Sequence, residues 1–255
     1  MQNMISSPND MQKLTKSNVI QNSNYIFLFS ISASGLDKLL SALEIWTRRS
    51  KHTIRCSISL PFEEKEFLET ANRKLVERLP HLDCNIHLSQ SFLKYEQRWI
   101  KELLFAPLED ENMEWFIYCD MDTFFFIENL ERLLRRYDAS QMHFLGGISD
   151  DRRTLSKYSH YAFGGAGIIV SRALALPLCK ILQTHALILS DGIHGGDHLL
   201  HLIITKELGV SLTVIPELHQ IDFRGNINGL LESSLYTRDM ITLHHLGTFS
   251  LKSLN

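Results

Sequence analysis

The chain has 255 residues, of which 44% are hydrophobic, and this is enough to bury a substantial core in one large domain. Its 26 basic and 29 acidic residues give a net charge of −3. The sequence contains no Lys/Arg-rich stripe with interleaved aromatic residues, which argues against a nucleic-acid partner. The four cysteines form no CxxC pair, so they indicate neither a zinc site nor a disulfide framework.

The first residues of the chain predict no targeting or membrane segment. Residues 1–24 are rich in Asn, Gln, Ser and Lys, a composition that favours a disordered polar tail over a signal peptide. The apolar stretch at 25–34 has about half the length of a membrane-spanning helix, so it predicts a first strand. We therefore expect no membrane span in this chain and a single domain over residues 25–255.

Helical and strand patterns alternate through the first half of the chain. After the first strand, the predicted elements are helices at 35–48, from Pro61 and at 91–105, and strands at 53–59, 84–88 and 115–118. This alternation predicts an α/β fold with a mostly parallel central sheet and helices on both faces. In such folds, ligands bind beyond the carboxyl ends of the strands.

Two acids, Asp120 and Asp122, stand at the C-terminal end of the aromatic run WFIY at 115–118. Neighbouring carboxylates repel each other and are costly to desolvate, so a positive charge is expected between them. Oxygen ligands suit hard divalent ions such as Mn²⁺ or Mg²⁺. The alternative is that both acids are turn or cap residues of a helix that follows near Glu128.

Two other protein classes carry similar strings. Y-family DNA polymerases have a DMDxFF-like segment that DMDTFF matches, but there it lies near the chain start, whereas 119 residues precede it here. Haloacid-dehalogenase phosphatases place Thr or Val after DxDx, whereas this chain has Phe124 at that position. Both interpretations are therefore disfavoured.

A glycine-rich string, YAFGGAG, precedes an apolar run in the second half of the chain. Its residues Gly164, Gly165 and Gly167 would let the backbone approach a ligand closely. The string lacks the GxGxxG spacing of a dinucleotide fingerprint. We assign Gly164 and Gly165 to the binding site, with a tightly packed turn as the alternative.

Further candidate residues follow that string. In HGGDHLLH, Asp197 stands at the start of an amphipathic helix that ends at Gly209, where it could simply cap the helix. The strings LHQID and LHHLGTF contribute His219 and His244. A single histidine is more often structural than a ligand, so position alone does not select either one.

The order of these motifs resembles the fringe-like branch of glycosyltransferase family 31, particularly its plant and fungal type members. The resemblance covers residues 95–247 well and residues 25–60 loosely. It implies a GT-A (Rossmann-like) fold with a nucleotide-binding half at 25–125 and an acceptor and catalytic half at 126–255. It also implies a UDP-sugar donor, Mn²⁺ (or Mg²⁺), and inverting transfer to a glycan or glycoprotein acceptor, usually with a β1,3 linkage.

The resemblance also implies roles for four residues of this sequence. Asp120 and Asp122 fall on the first and third positions of the family's DDD-Thr motif, and His219 falls on its metal-binding histidine. Asp197 falls on the aspartate that activates the acceptor. Asp122 and His219 are therefore expected to share one ion, although they are far apart in the chain.

The chain departs from the family pattern in two respects. Met121 replaces the middle aspartate of the triplet. If that carboxylate contacts the donor ribose or the metal, donor binding is weaker here, and if only the outer two acids matter, nothing is lost. Family members are usually anchored in the Golgi lumen, which implies a Golgi or secretory location, but no anchor is visible here.

A catalytically inactive fringe-like module that binds sugar or protein is the alternative function. Met121 favours that module, whereas the set Asp120, Asp122, Asp197 and His219 favours an enzyme.

Overall fold

The structure is a computed structural model that describes residues 22–48, 50–90, 93–149, 160–184, 195–222 and 240–244. Its strands are β1 (Asn22–Ser30), β2 (Thr53–Leu60), β3 (Asp83–Leu88), β4 (Trp115–Tyr118), β5 (Phe124–Phe125), β6 (Phe144–Gly146), β7 (Ile168–Ser171), β8 (Thr213–Val214), β9 (Leu218–Asp222) and β10 (Thr242–His244). The α-helices are α1 (Leu36–Trp46), α2 (Leu68–Arg78), α3 (Tyr95–Lys101), α4 (Ile127–Leu134), α5 (Arg172–Thr184) and α6 (Gly196–Leu202). Short 3-10 turns occupy Ala33–Gly35, Phe62–Phe67, Glu102–Phe105 and Gly164–Ala166, and a π-helical turn occupies Ile203–Glu207.

Seven strands form the central sheet in the order β3-β2-β1-β4-β7-β6-β8. The strand β7 runs antiparallel to both of its neighbours, and the remaining strand pairs are parallel. A second sheet has the order β5-β10-β9. The prediction of a mostly parallel sheet is therefore confirmed.

Both faces of the central sheet are buried. Along β1, Tyr25, Phe27 and Phe29 pack with α1, α2 and α4, while Ile26 and Leu28 pack with α3, α5 and α6. Because side chains alternate between the faces, a strand buried on both sides becomes a continuous apolar run. This explains why the sequence shows uninterrupted hydrophobic segments at β1 and β4.

The helix predicted from Pro61 begins later than the sequence indicates. Its first residues, Phe62–Phe67, form a 3-10 turn, and α2 starts only at Leu68. Glu64 has non-helical backbone angles, and its Oε2 accepts a hydrogen bond from the N–H of Ala33 at 2.6 Å. Glu64 thus links the loop after β2 to the loop after β1.

Cys56 and Cys84 form a disulfide that the cysteine spacing did not indicate. The parallel pairing of β2 with β3 sets these residues directly opposite each other, with their Cα atoms 4.4 Å apart. Cys119 and Cys179 are buried free thiols. The pairing is decided by strand register, which no local cysteine motif reports.

Some sequence expectations fall on residues outside the described ranges. Residues 1–21 are among these, so the disordered tail stays a prediction over that range, but its predicted end at 24 is wrong because Asn22, Ser23 and Asn24 belong to β1. The division into halves at 125 and 126 also stays a prediction. Among the described residues, no helix combines the length and apolar character needed to cross a membrane.

Candidate active site

Asp120 and Asp122 lie in a tight turn directly after β4, at the carboxyl end of the central sheet. The N–H of Thr123 donates to the Asp120 carbonyl at 3.1 Å, and the Asp120 N–H donates to Thr123 Oγ1 at 3.2 Å. Thr123 is buried and donates in turn to the Gly165 carbonyl at 3.0 Å. The alternative role as helix caps is wrong, because α4 begins at Ile127 with Phe126 as its N-cap.

The second sheet brings His244 to the two acids. In the antiparallel pair of β10 with β5, Thr242 lies opposite Phe125 and Leu243 lies opposite Phe124. The same register places His244 beside the turn that carries Asp120 and Asp122. His244 Nε2 lies 3.6 Å from Asp120 Oδ2 and 3.4 Å from Asp122 Oδ1, and the imidazole is buried.

The three side chains have the composition and spacing of a divalent-metal site. One ligand atom each from Asp120, Asp122 and His244 lie within 4.8 Å of one another. Octahedral ligands at about 2.1 Å from an ion are separated by about 3 to 4 Å. Carboxylate oxygens and a histidine nitrogen suit Mn²⁺ or Mg²⁺. The residues therefore fit such an ion.

Charge coupling in this cluster is strong. Burial opposes protonation of His244, but hydrogen bonds and charges from Asp120 and Asp122 outweigh it and raise its pKa to about 9. Burial also disfavours the charged form of Asp122, yet its hydrogen bonds with His244 and Lys38 hold the pKa of that carboxyl well below its usual range. In the absence of an ion, a proton on His244 and the ammonium of Lys38 neutralise the acids.

His219, the histidine that the resemblance selects as metal ligand, is not a member of this group of ligand atoms. It lies in β9, on the far side of β10 from β5, so one strand separates it from the acid turn. Its N–H donates to Thr242 Oγ1 at 3.1 Å. The role of His219 as a ligand stays a prediction, and His244 is the residue that the sequence analysis did not select. The signal for His244 was the closing HHL string.

Asp197 lies at the beginning of α6 but is not its N-cap, which is Gly195. Its Oδ2 accepts the Gly164 N–H at 3.1 Å, and its Oδ1 accepts the His198 N–H at 2.8 Å. Burial raises the pKa of Asp197 to about 6, with a smaller contribution from the charge of Asp120, against the lowering effect of backbone hydrogen bonds. The site therefore holds a carboxylate whose basicity is raised toward neutral pH.

The glycines of the GGAG turn leave space for site residues. A Cβ on Gly165 would lie 2.5 Å from His244 Nε2, and a Cβ on Gly164 would lie 3.1 Å from the Trp99 ring. Gly196 is crowded by the same ring, at 3.1 Å. The assignment of Gly164 and Gly165 to donor binding stays a prediction. Their observed effect is to let His244, Trp99 and Asp197 approach the turn.

Two clefts meet at this end of the sheet. The first, of about 230 Å³, is lined by Ser30, Ile31, Ser32, Tyr95, Arg98, Asp120, Met121, Asp122 and His244. The second, of about 180 Å³, is lined by Tyr95, Glu96, Trp99, Asp120, Gly164, Gly195, Gly196 and Asp197. Tyr95 and Asp120 line both clefts. The acid and histidine cluster and the Asp197 carboxylate therefore face two adjoining spaces.

Met121 lies in the first cleft, against the loop that follows β1. Its Sδ is 2.6 Å from the position that a Cβ on Gly35 would take, and its side chain packs on the core. The thioether thus fills space beside the loop at 33–35. It supplies an apolar surface between the two acids.

Sequence comparison gives one family match. A family model described as "Protein of unknown function, DUF604" matches residues 154–251. The matched stretch contains Asp197, His219 and His244, but it begins after the turn that carries Asp120 and Asp122. No curated protein is a significant match.

Structure comparison gives several similar chains. One is the mannosyltransferase PcManGT from Pyrobaculum calidifontis, solved in complex with GDP-Man and Mn²⁺, with 12% identity and a TM-score of 0.50 over 86% of this chain and 63% of that one. Another is a proposed nucleotide-diphospho-sugar transferase from Desulfovibrio desulfuricans, with 12% identity and a TM-score of 0.50 over 91% of this chain and 95% of that one. The glycosyltransferase GlyE from Streptococcus pneumoniae matches with 9% identity and a TM-score of 0.47 over 89% of this chain.

The chain spans 55% of the length of GlyE and 63% of the length of PcManGT. At identities this low, the similarity establishes the fold alone. The narrower resemblance to the fringe-like branch stays a prediction. The chain has the GT-A fold of nucleotide-diphospho-sugar transferases, built on a mostly parallel seven-stranded sheet.

Proposed function

We propose that this chain is a metal-dependent inverting glycosyltransferase that moves a sugar from a UDP-sugar to a hydroxyl of a glycan or glycoprotein acceptor. The observation that carries this proposal is the meeting of two clefts at Asp120. One cleft presents a set of metal ligands, and the other presents the Asp197 carboxylate. The β1,3 linkage and the UDP-sugar donor come from the motif resemblance.

On the donor side, Asp120 and Asp122 would hold Mn²⁺ or Mg²⁺ together with a histidine, His244 by geometry or His219 by resemblance. A bound divalent ion supplies Lewis-acid stabilisation of the negative charge that develops on a departing diphosphate. Hydrogen bonds through Thr123 hold the backbone of the turn that carries the acids. This rigidity lowers the cost of assembling the donor site.

On the acceptor side, Asp197 would act as the general base. An acceptor hydroxyl loses its proton as it attacks the anomeric carbon, and a carboxylate within hydrogen-bond reach can accept that proton. Burial makes Asp197 more basic, yet a pKa of about 6 leaves it ionised at neutral pH. Two backbone N–H groups fix its orientation. A single base opposite a leaving diphosphate favours inversion in one displacement.

A Golgi or secretory location is part of the same proposal. It is supported by the disulfide between Cys56 and Cys84, because disulfides persist in oxidising compartments. Mass spectrometry of peptides from protein isolated from its native compartment, digested without reduction, tests this point. A linked peptide pair containing both cysteines is expected, and free thiols at both positions would contradict the location.

The activity is tested by incubating the purified chain with a panel of UDP-sugars, Mn²⁺ and glycan acceptors, and following UDP release. We expect acceptor-dependent release for one donor and its loss in excess chelator. Proton NMR of the product then identifies the anomeric configuration and the linkage position. Retention of configuration, or full activity in excess chelator, would contradict the proposed mechanism.

The second candidate function is an inactive module that binds a sugar or protein. Two observations favour it: Met121 replaces a carboxylate, and Lys38 Nζ forms an ion pair with Asp122 at 2.9 Å. A protein cation beside this ligand could take the place of the ion. The same assay separates the two functions, because donor binding without turnover under every acceptor would identify the module.

A further inference from the structure

Arg98 is an almost completely buried cation in the cleft that contains the acid cluster. It projects from α3 and is 7% exposed, and it lines the first cleft together with Asp120, Asp122 and His244. Its Nη1 donates one hydrogen bond, to the Ile31 carbonyl at 3.2 Å. A guanidinium carries five N–H donors, so most of its hydrogen-bonding capacity is directed elsewhere.

Within the described parts of the chain, no carboxylate oxygen forms an ion pair with Arg98 within 4.0 Å. Burial lowers the pKa of the guanidinium, and electrostatic interactions with Tyr95, Glu64, Glu63 and Glu102 oppose this effect. Two of these acids have other partners, since Glu64 accepts from the Ala33 N–H and Glu102 accepts from Ser57 Oγ. Arg98 is therefore a buried charge that contacts no counter-ion among the described residues.

The orientation of the guanidinium is set by its neighbours. Tyr95 precedes Arg98 by one helical turn, and the guanidinium carbon lies 5.6 Å from the centre of the Tyr95 ring. The Ile31 carbonyl fixes one end of the fork. A planar fork held in this way at the wall of a cleft suits bidentate recognition of an oxyanion.

We propose that Arg98 binds a phosphate group of the nucleotide-sugar donor directly, beside the metal ligands and without contacting the metal itself. This inference rests on the proposed function, because it takes the nucleoside diphosphate as the anion that enters the first cleft. The acids of that cleft repel a diphosphate, and Arg98 offsets this repulsion at a fixed point of its wall. Tyr95 acts as a positioning residue that holds the guanidinium plane.

Phosphate and sugar carboxylate present similar oxyanions, so the experiment must distinguish them. Isothermal titration with Mn²⁺ present would measure the binding of UDP, UDP-glucose and UDP-glucuronate to wild type, Arg98→Met and Arg98→Lys. The methionine variant keeps much of the packing volume, and the lysine variant keeps the charge but removes the fork. Arg78→Met is the matched control, because Arg78 pairs with Asp37 and Glu44 outside the cleft.

We expect Arg98→Met to bind all three ligands about 10-fold to 100-fold more weakly, which is the usual effect of losing a hydrogen bond to a charged group. Arg98→Lys should show a smaller loss, and Arg78→Met should bind like wild type. Affinity for Mn²⁺ alone, and for uridine followed by ligand-observed NMR, should be unchanged in Arg98→Met. If circular dichroism shows that Arg98→Met is unfolded, the same ligands are tested with Arg98→Lys.

Four results would overturn the inference. Equal losses of affinity for uridine and UDP would show that Arg98 contacts the nucleoside or maintains the general shape of the cleft. A loss confined to UDP-glucuronate would assign it to a sugar carboxylate. If the wild-type protein transfers sugar and a folded Arg98 variant binds UDP as tightly as wild type, the inference alone would be overturned. If the wild-type protein binds no nucleoside diphosphate, the inference and the proposed function would both be overturned.

Discussion

Lys38 Nζ lies 2.9 Å from Asp122 Oδ2, so a lysine of the first helix contacts a carboxylate of the candidate metal site. The two residues are 84 positions apart in the chain and meet because β1 and β4 are neighbours in the sheet. A divalent ion and this ammonium would share the same carboxylate. Their competition can be measured without any enzymatic assay.

We expect Lys38→Met to bind Mn²⁺ alone about two-fold to five-fold more tightly, because the variant removes a competing cation whose exposed ion pair is weak. Lys74→Met is the control, since Lys74 pairs with Asp37 at the same 2.9 Å distance outside the cleft. Isothermal titration with Mn²⁺ measures both variants. Weaker Mn²⁺ binding in Lys38→Met would show that the lysine supports the site.

The identity of the histidine ligand can be decided by comparing two alanine variants. We expect His244→Ala to lower Mn²⁺ affinity at least about 10-fold, because the imidazole lies within ligand distance of both acids. His219→Ala, one strand further away, should have the smaller effect. Electron paramagnetic resonance of free Mn²⁺ gives both affinities, and the opposite ranking would return the ligand role to His219.

The role of Asp197 is tested by Asp197→Asn, which preserves shape but removes the proton acceptor. Sugar transfer should fall by about 10²-fold to 10⁴-fold. Binding of UDP with Mn²⁺ should survive, because the candidate metal ligands are unchanged. Turnover like that of wild type would end the assignment as base, and loss of UDP binding would place Asp197 in the donor site.

The same variant predicts a pH-dependent change in stability. The pKa of Asp197 rises from its ordinary value of about 3.9 to about 6 on folding, so the folded chain binds this proton more tightly than the unfolded chain. The stabilising effect of the proton on Asp197 is complete below about pH 4 and is lost as the pH rises through about 6. As the pH rises from about 4.5 to about 8, the free energy of unfolding of Asp197→Asn should increase relative to that of wild type by about 2 kcal/mol. Urea unfolding at both pH values measures this, and a constant difference would contradict the raised pKa.

Gly165→Ala tests whether the GGAG turn makes room for the histidine. The added Cβ would lie 2.5 Å from the buried His244 ring, which must shift away from the acids. We therefore expect weaker Mn²⁺ binding. Gly146→Ala is the control, because its Cβ would be crowded by Ala162 at 2.9 Å and would meet no member of the acid and histidine cluster. Equal Mn²⁺ affinities in the two variants would contradict this role for Gly165.

Local patterns predicted the mostly parallel character of the sheet and the strand end that carries the two acids. Buried apolar runs identified β1 and β4, and the placement of Asp120 and Asp122 at a strand end followed from the WFIY run. The helix at Asp197 was also visible in the sequence. These features depend on side-chain periodicity and on the residues that mark the ends of helices and strands, which act over a few neighbouring residues.

The tertiary structure decided which distant residues meet. Strand register paired Cys56 with Cys84 and brought His244, not His219, beside the acids. Packing of α1 on the sheet brought Lys38 to Asp122. Such contacts join residues tens of positions apart, and they depend on the order and register of strands across the whole sheet. A motif can therefore supply a ligand type, but the neighbouring strand determines which side chain completes the site.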